Sequence, residues 1–492
     1  MFDFLYSTAA SLTSRLDNPS IPWKQLILTF AVGEFCLETC LQYRQYRVLQ
    51  RKTIPAQLKN EIDQKTFDKS QAYGRAKAKF GLVQGIWSQM KNIAVIKYDM
   101  MPLLWAATGT FLANYAPARF QGQITQGLAF AFAYSWIETL LGLPFSWYYH
   151  FHLEEKFGFN KQTPGLFFSD LVKGQALSLA FGVPVGAAFL KIIQATGDNF
   201  FLYIWLFTLT VQLGAVTIYP IVIVPLFNKL TPLEPGKLKE RVEALAGKLE
   251  FPLDELQVID GSKRSAHSNA YFTGLPWKKK IVIYDTLIAK SSVPEIEAVL
   301  AHELGHWKMG HTTSLLAISS FHLFWVFGLF RVFINNNSLY ESFGFHNIRP
   351  IIIGFILFNE VLSPTDSLVK LGMNIWTRRM EFQAGMSCKI PPYYPPITLL
   401  RCSNSPKEIY KLLLTISPFL LTDEFSNRLG YARELASSLI KLQIQNLSSM
   451  DADWMYSAYH YSHPILTERL KAVGWTSEHK VSSAGDAEEK TQ

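Results

Sequence analysis

"VLAHELGHWKMGH", Val299 to His311, leads directly into the apolar run Thr312–Ile334. Within it His302, Glu303 and His306 stand in the order HExxH. On a helix, positions four apart share a face, so both imidazoles can reach one metal ion while Glu303 sits beside the water that such a metal activates. The helix start is legible too, because "VPEIEAVLAHELGHW" has Pro294 near its beginning and acidic residues in its first turn. The run that follows is long enough to cross a hydrocarbon core of about 30 Å. These residues predict a zinc hydrolase motif at the edge of a membrane.

The rest of the chain agrees with that class. It has 492 residues, 49% of them apolar, and seven runs of membrane-spanning length: Leu26–Gln42, Met101–Ala118, Thr125–Tyr149, Gly174–Ala195, Phe200–Phe227, Thr312–Ile334 and Ile348–Leu371. The expected fold is mainly α, a polytopic seven-helix membrane protein with a zinc metallopeptidase domain. Between Arg44 and Lys91 lie eleven Lys/Arg against three Asp/Glu, whereas only Arg15 and Lys24 are basic ahead of the first run. The positive-inside rule therefore makes the first loop cytosolic and the N-terminus lumenal. Seven crossings then leave 228–311 and everything after Leu371 on the cytosolic side. The domain reading is 1–227 as a membrane domain of about five helices, 228–476 as the metallopeptidase domain with two more spans, and 477–492 as a disordered tail. Net charge of +8 suits anionic lipid headgroups, a solvated basic face being the ordinary alternative, and no nucleic-acid partner is expected. Cys36, Cys40, Cys388 and Cys402 form neither a disulfide framework nor a metal set.

A catalytic zinc site ordinarily has three protein ligands and one open position. The pattern HExxHxxGxxH is absent, since Met309 stands where it needs glycine and Thr312 where it needs histidine. His311 is offset by five from His306 and reads as a helix-end histidine. That leaves a carboxylate on a later helix, and Glu381 in "RRMEFQA", just after the seventh run, is the best placed in sequence. On the residues alone it is equally a surface glutamate paired with Arg378 at i−3.

The chain resembles the type I CAAX prenyl endopeptidases, the a-factor-converting zinc metalloproteases of the endoplasmic reticulum. The resemblance is carried by "QAYGRAKAKFGL", "EEKFGFNKQT", "YPIVIVPLFNKLTPLE", "SKRSAHSNAYFTG", "HELGHWKMGH", "RRMEFQA" and "YSAYHYSHPILTERL". It implies one Zn²⁺ per chain on His302, His306 and Glu381, with Glu303 as general base and then acid. It implies an oxyanion or positioning role for His460 in "YHYSHP"; "HSNAYFTG" followed by "KKKIVIYDTL" reads on its own residues as a β-hairpin of alternating β-formers, and the resemblance implies that its first strand pairs with extended substrate near Asn269. A turn role for Asn269 and a capping role for His460 stay open. The implied substrates are prenylated CAAX proteins, trimmed of their last three residues and in some members cut again near the N-terminus. The implied fold is a ring of seven helices around an intramembrane chamber, with Glu34, Glu38, Glu138 and Glu360 facing it or paired with polar neighbours. Two other readings share the zinc motif or the fold: a general quality-control membrane metalloprotease, and an inactive scaffold.

One departure interrupts the resemblance. The family pattern calls for Asp four residues after Glu381, to orient a metal-site histidine, yet residue 385 is glycine. The expected continuation appears from Asp423, as "DEFSNRLGYARELASSLIKL", and removing Gly385–Thr422 joins the two texts into one amphipathic helix. Gly-Met-Ser can be written G-GT-ATG-TCN and Thr-Asp ACA-G-AY, which carry a splice donor and acceptor; excision there regenerates the Asp codon. Gly385–Thr422 therefore reads as a translated intron, with a genuine inserted loop as the alternative.

Overall fold

The computed structural model describes residues 10–275, 277–383, 429–472 and 475. It is mostly helical with one small sheet. Five helical stretches are long and apolar enough to cross a membrane: Trp23–Val48, Gln123–Phe157, Pro164–Phe227, His311–Phe333 and Ile351–Arg378. The 64-residue stretch is two helices, because Gly197, at φ 52°, breaks it at the turn Gly197–Asn199. In chain order the long helices are α1 (Trp23–Val48), α2 (Gln64–Lys97), α3 (Met100–Tyr115), α4 (Gln123–Tyr148), α5 (Pro164–Thr196) and α6 (Phe200–Ile218).

Two expectations change here. The basic segment expected as a loop is largely α2, 34 residues capped by the Asp63 carboxylate, which accepts from Thr66 N at 2.6 Å. It packs along α1, which its low hydropathy concealed. The run expected to span alone at Met101–Ala118 is α3, only 16 residues and thus about 24 Å long. It continues from α2 across Asp99, a left-handed residue at φ 51°.

Contacts at the two ends of α1 orient this layer. At its start Trp23 Nε1 donates to Ser338 Oγ at 3.0 Å and Lys24 pairs with Asp99 at 2.7 Å. At its far end Arg44 forms a two-pronged pair with Asp453 at 2.9 Å. The apolar core of the first end contains Trp23, Ile27, Ile96, Trp105, Phe130, Ile204, Phe330 and Phe358. Three of the four carboxylates are partnered, since Glu34 accepts from Ser363 and Ser367, Glu38 meets Lys370 and Glu138 meets Lys91; Glu360 forms no ion pair or hydrogen bond among the described residues and lines a cavity with Glu34 and Glu38.

Beyond α6 the chain builds a four-stranded sheet in the order β1-β2-β4-β3, from Leu230–Pro232, Leu253–Ile259, Ala270–Leu275 and Lys278–Tyr284. The expected hairpin is β3 and β4, antiparallel with Ala270 opposite Ile283. It belongs to a larger mixed sheet, since β2 runs parallel to β4. β3 is an edge strand, one side of it unpaired among the described residues. Helices α7 (Lys237–Leu249) and α8 (Val293–Lys308) pack against the sheet through Val242, Leu245, Ile281, Ile283, Ile296, Leu300 and Leu304. Then follow α9 (His311–Phe333), α10 (Ile351–Gln383), α11 (Ala432–Gln445), α12 (Trp454–His460) and α13 (Leu466–Ala472). Gly385–Thr422, Asp423 and the tail 477–492 lie outside the described residues.

Candidate metal centre

The HExxH helix is α8, and its position is over-determined. Ser292 and Glu295 close a capping box: the Glu295 carboxylate accepts from Ser292 N at 2.8 Å, and Pro294 occupies the first turn. Glu295 is buried and also receives Lys441 at 2.6 Å and Ser437 Oγ at 2.8 Å from α11. Burial alone would raise its pKa, but these donors outweigh burial and bring it down to about 2. A carboxyl depressed in the folded state stabilises it above the unfolded value, near 4.5, and loses that contribution as pH falls toward 2. Glu295→Gln is expected to lower the melting temperature at pH 6 by the equivalent of about 1 kcal/mol, and the difference should shrink by pH 3. An equal gap at both pH values would exclude a charge-dependent cap. Glu297, one turn short of the motif, is pinned by Tyr431 OH at 2.5 Å and Arg241 at 2.7 Å.

On this helix His302 and His306 present their Nε2 atoms 3.3 Å apart. Glu381, in the last turn of α10, reaches them from across the fold: its carboxylate oxygens lie 3.6 Å from His302 Nε2 and 3.2 Å from His306 Nε2. One candidate ligand atom from each residue lies within 4.8 Å of the others. Two imidazoles and one carboxylate are a donor set suited to Zn²⁺. Glu381 is 4% exposed, and burial would raise its pKa. Hydrogen bonds from His306 and His463 overcome this and hold the carboxyl well below its ordinary range. Arg378 does not pair with Glu381; its guanidinium, 2% exposed, donates to Ser457 and Glu468 at 2.8 Å each and ties α10 to α12 and α13. Glu303 is half-buried beside His306 and forms no ion pair or hydrogen bond among the described residues, so its carboxylate is available.

The other expected residues are dispersed. Asn269 is exposed at the start of edge strand β3, its Oδ1 accepting from Ala270 N at 2.9 Å. His460 sits in the last turn of α12 with Nε2 3.1 Å from Glu38 Oε2. His463 approaches Glu381 instead, its Nε2 3.0 Å from Oε1. The sequence signal for it was Pro464, which disfavours helix at the preceding residue and so carries His463 past the end of α12. His311, read as a helix-end residue, has Nδ1 2.9 Å from His306 Nδ1, where it can fix that ring's orientation.

A helix-borne HExxH pair met by a distant buried glutamate, on a chain with five stretches of membrane-spanning length, defines a multi-pass membrane metallopeptidase. Residues 45–229 match the family model "CAAX prenyl protease N-terminal, five membrane helices", and 232–387 match "Peptidase family M48". CAAX prenyl protease 1 of Saccharomyces cerevisiae is 42% identical over 95% of this chain and 99% of its own. The Homo sapiens CAAX prenyl protease 1 homolog is 36% identical over 92% and 95%. The crystal structure of S. mikatae Ste24p superposes with a TM-score of 0.80 at 41% identity, covering 93% of this chain and all of that one. The chain belongs to the CAAX prenyl protease 1 family of M48 metalloendopeptidases.

Proposed function

We propose that the protein is a zinc-dependent endopeptidase that removes the last three residues of prenylated CAAX proteins at the endoplasmic reticulum membrane. One observation carries the reading: His302, His306 and Glu381 converge where α8 runs into α9 and α10 returns, both α9 and α10 being of membrane length. In this reading those three residues hold Zn²⁺, which when bound supplies Lewis acidity and brings the pKa of a coordinated water to about 7. Glu303 takes the proton from the attacking water and returns it to the leaving amine. Asn269, at the open edge of β3, holds the backbone of substrate added as a further strand. His460 lines the cavity beside His463 and would face the carbonyl being cut. Asp423 would orient a metal-site histidine.

We count seven crossings, with α2 and α3 as one crossing broken at Asp99 and α5 and α6 as two. A hollow interior fits the cavities found among these helices. They measure about 710, 630 and 300 Å³, the first sharing His267 in its lining with the second and Gln42 with the third. A prenyl chain needs apolar walls and peptide hydrolysis needs water, so a chamber meeting the interface serves both. The basic end of α1 and start of α2 favour a cytosolic site and a lumenal N-terminus. We divide the chain into a membrane domain, 1–227, and a metallopeptidase domain, 228–476.

Matched peptides with and without a farnesyl group test the substrate. Release of the C-terminal tripeptide is expected to be at least about tenfold faster from the farnesylated one; equal rates would point to a general quality-control protease. Gly385–Thr422 we read as a translated intron, a reading that the end of the M48 match at residue 387 supports. Sequencing the transcript should yield a dominant message without these codons. A dominant message with them, together with a full-length active protein, would overturn it.

A further inference from the structure

Beside the metal centre lies a cavity of about 710 Å³ whose described lining contains no Asp or Glu. Lys77 and Asn446 are among its polar lining, while Gln443 donates to Ser449, His460 meets Glu38 and His463 meets Glu381. His463 touches Glu381, so one end of the cavity adjoins the candidate metal ligands. At Lys77, on α2, the ammonium stands 5.0 Å over the Tyr73 ring and forms no ion pair among the described residues. Tyr73 is itself fixed, its hydroxyl donating to Glu154 at 2.5 Å, and Glu154 lines a different cavity. An exposed lysine with no ion pair among the described residues, on a cavity whose described lining holds no Asp or Glu, favours an anion.

We propose that Lys77 is the counter-ion for the substrate's terminal α-carboxylate, and that this cavity holds the three residues to be released. The proposal rests on the CAAX reading above and adds what sets the position of the cut. Three extended residues span about 10 Å. With the carboxylate at Lys77, a reach of that length runs toward His463, which lines the same cavity, and a tail one residue longer overshoots by about 3 Å.

The test compares a farnesylated peptide ending in a free acid with the same peptide ending in a carboxamide. In the unaltered protein the acid should have the higher kcat/KM, by about tenfold, the discrimination of one charge-assisted contact. In Lys77→Met the acid-to-amide ratio should fall close to one, and in Lys77→Arg most of it should remain. Zinc content and thermal melting check that each variant is folded. Equal rates on acid and amide in the unaltered protein overturn the proposal without any variant, and so does a full ratio in Lys77→Met. If the unaltered protein cuts neither peptide, the CAAX reading fails and this proposal with it.

Discussion

The Glu303→Gln variant is expected to keep its zinc and lose hydrolysis by about 10²- to 10⁴-fold. The amide fills the same space on α8 but cannot accept a proton, so the binding of metal and peptide survives while the proton path does not. The position of Glu303 motivates the prediction: it is half-buried beside His306 and uncommitted to any partner among the described residues. Metal analysis and cleavage of a farnesylated peptide check the two halves separately. Activity within about tenfold of the unaltered protein would show that another group is the base.

His302→Ala, His306→Ala and Glu381→Ala are each expected to lose the metal itself, with zinc falling from one per chain to less than roughly a tenth after dialysis. A tetrahedral site with one position left open for water has only three protein donors, and none is spare. Glu381→Ala carries a second consequence. Its carboxylate joins His302, His306 and His463 at 3.0–3.6 Å, so its removal takes away the one carboxylate that these three imidazoles are seen to share among the described residues. Stoichiometric zinc in any of the three variants would sink the ligand assignment for that residue.

How much of this was legible depends on distance along the chain. HExxH, the Pro294 helix start and the edge hairpin are local patterns, and each appears where periodicity or turn chemistry put it. The concealed α2 failed the same test for a physical reason. Its residues are too polar to register as a span, and they are helical because they pack along α1 and the Glu138 carboxylate takes up Lys91. β1 and β2 were missed because short strands acquire their identity from the strands they pair with.

By itself the sequence determined the class: a membrane chain, from its apolar runs, and a metallopeptidase, from two histidines and a glutamate on one helical turn. The second is a statement about residues three or four positions apart, where backbone geometry dictates who can meet. Only the tertiary structure decided which side chains meet across the fold. Arg378 could have paired with Glu381 one turn away, yet Glu468 and Ser457 claim it, which leaves Glu381 for the histidines. Of two histidines three apart, His463 reaches Glu381 and His460 turns to Glu38, a residue on the first long helix. Such pairings follow from packing whole helices against one another, and no local spacing encodes the result.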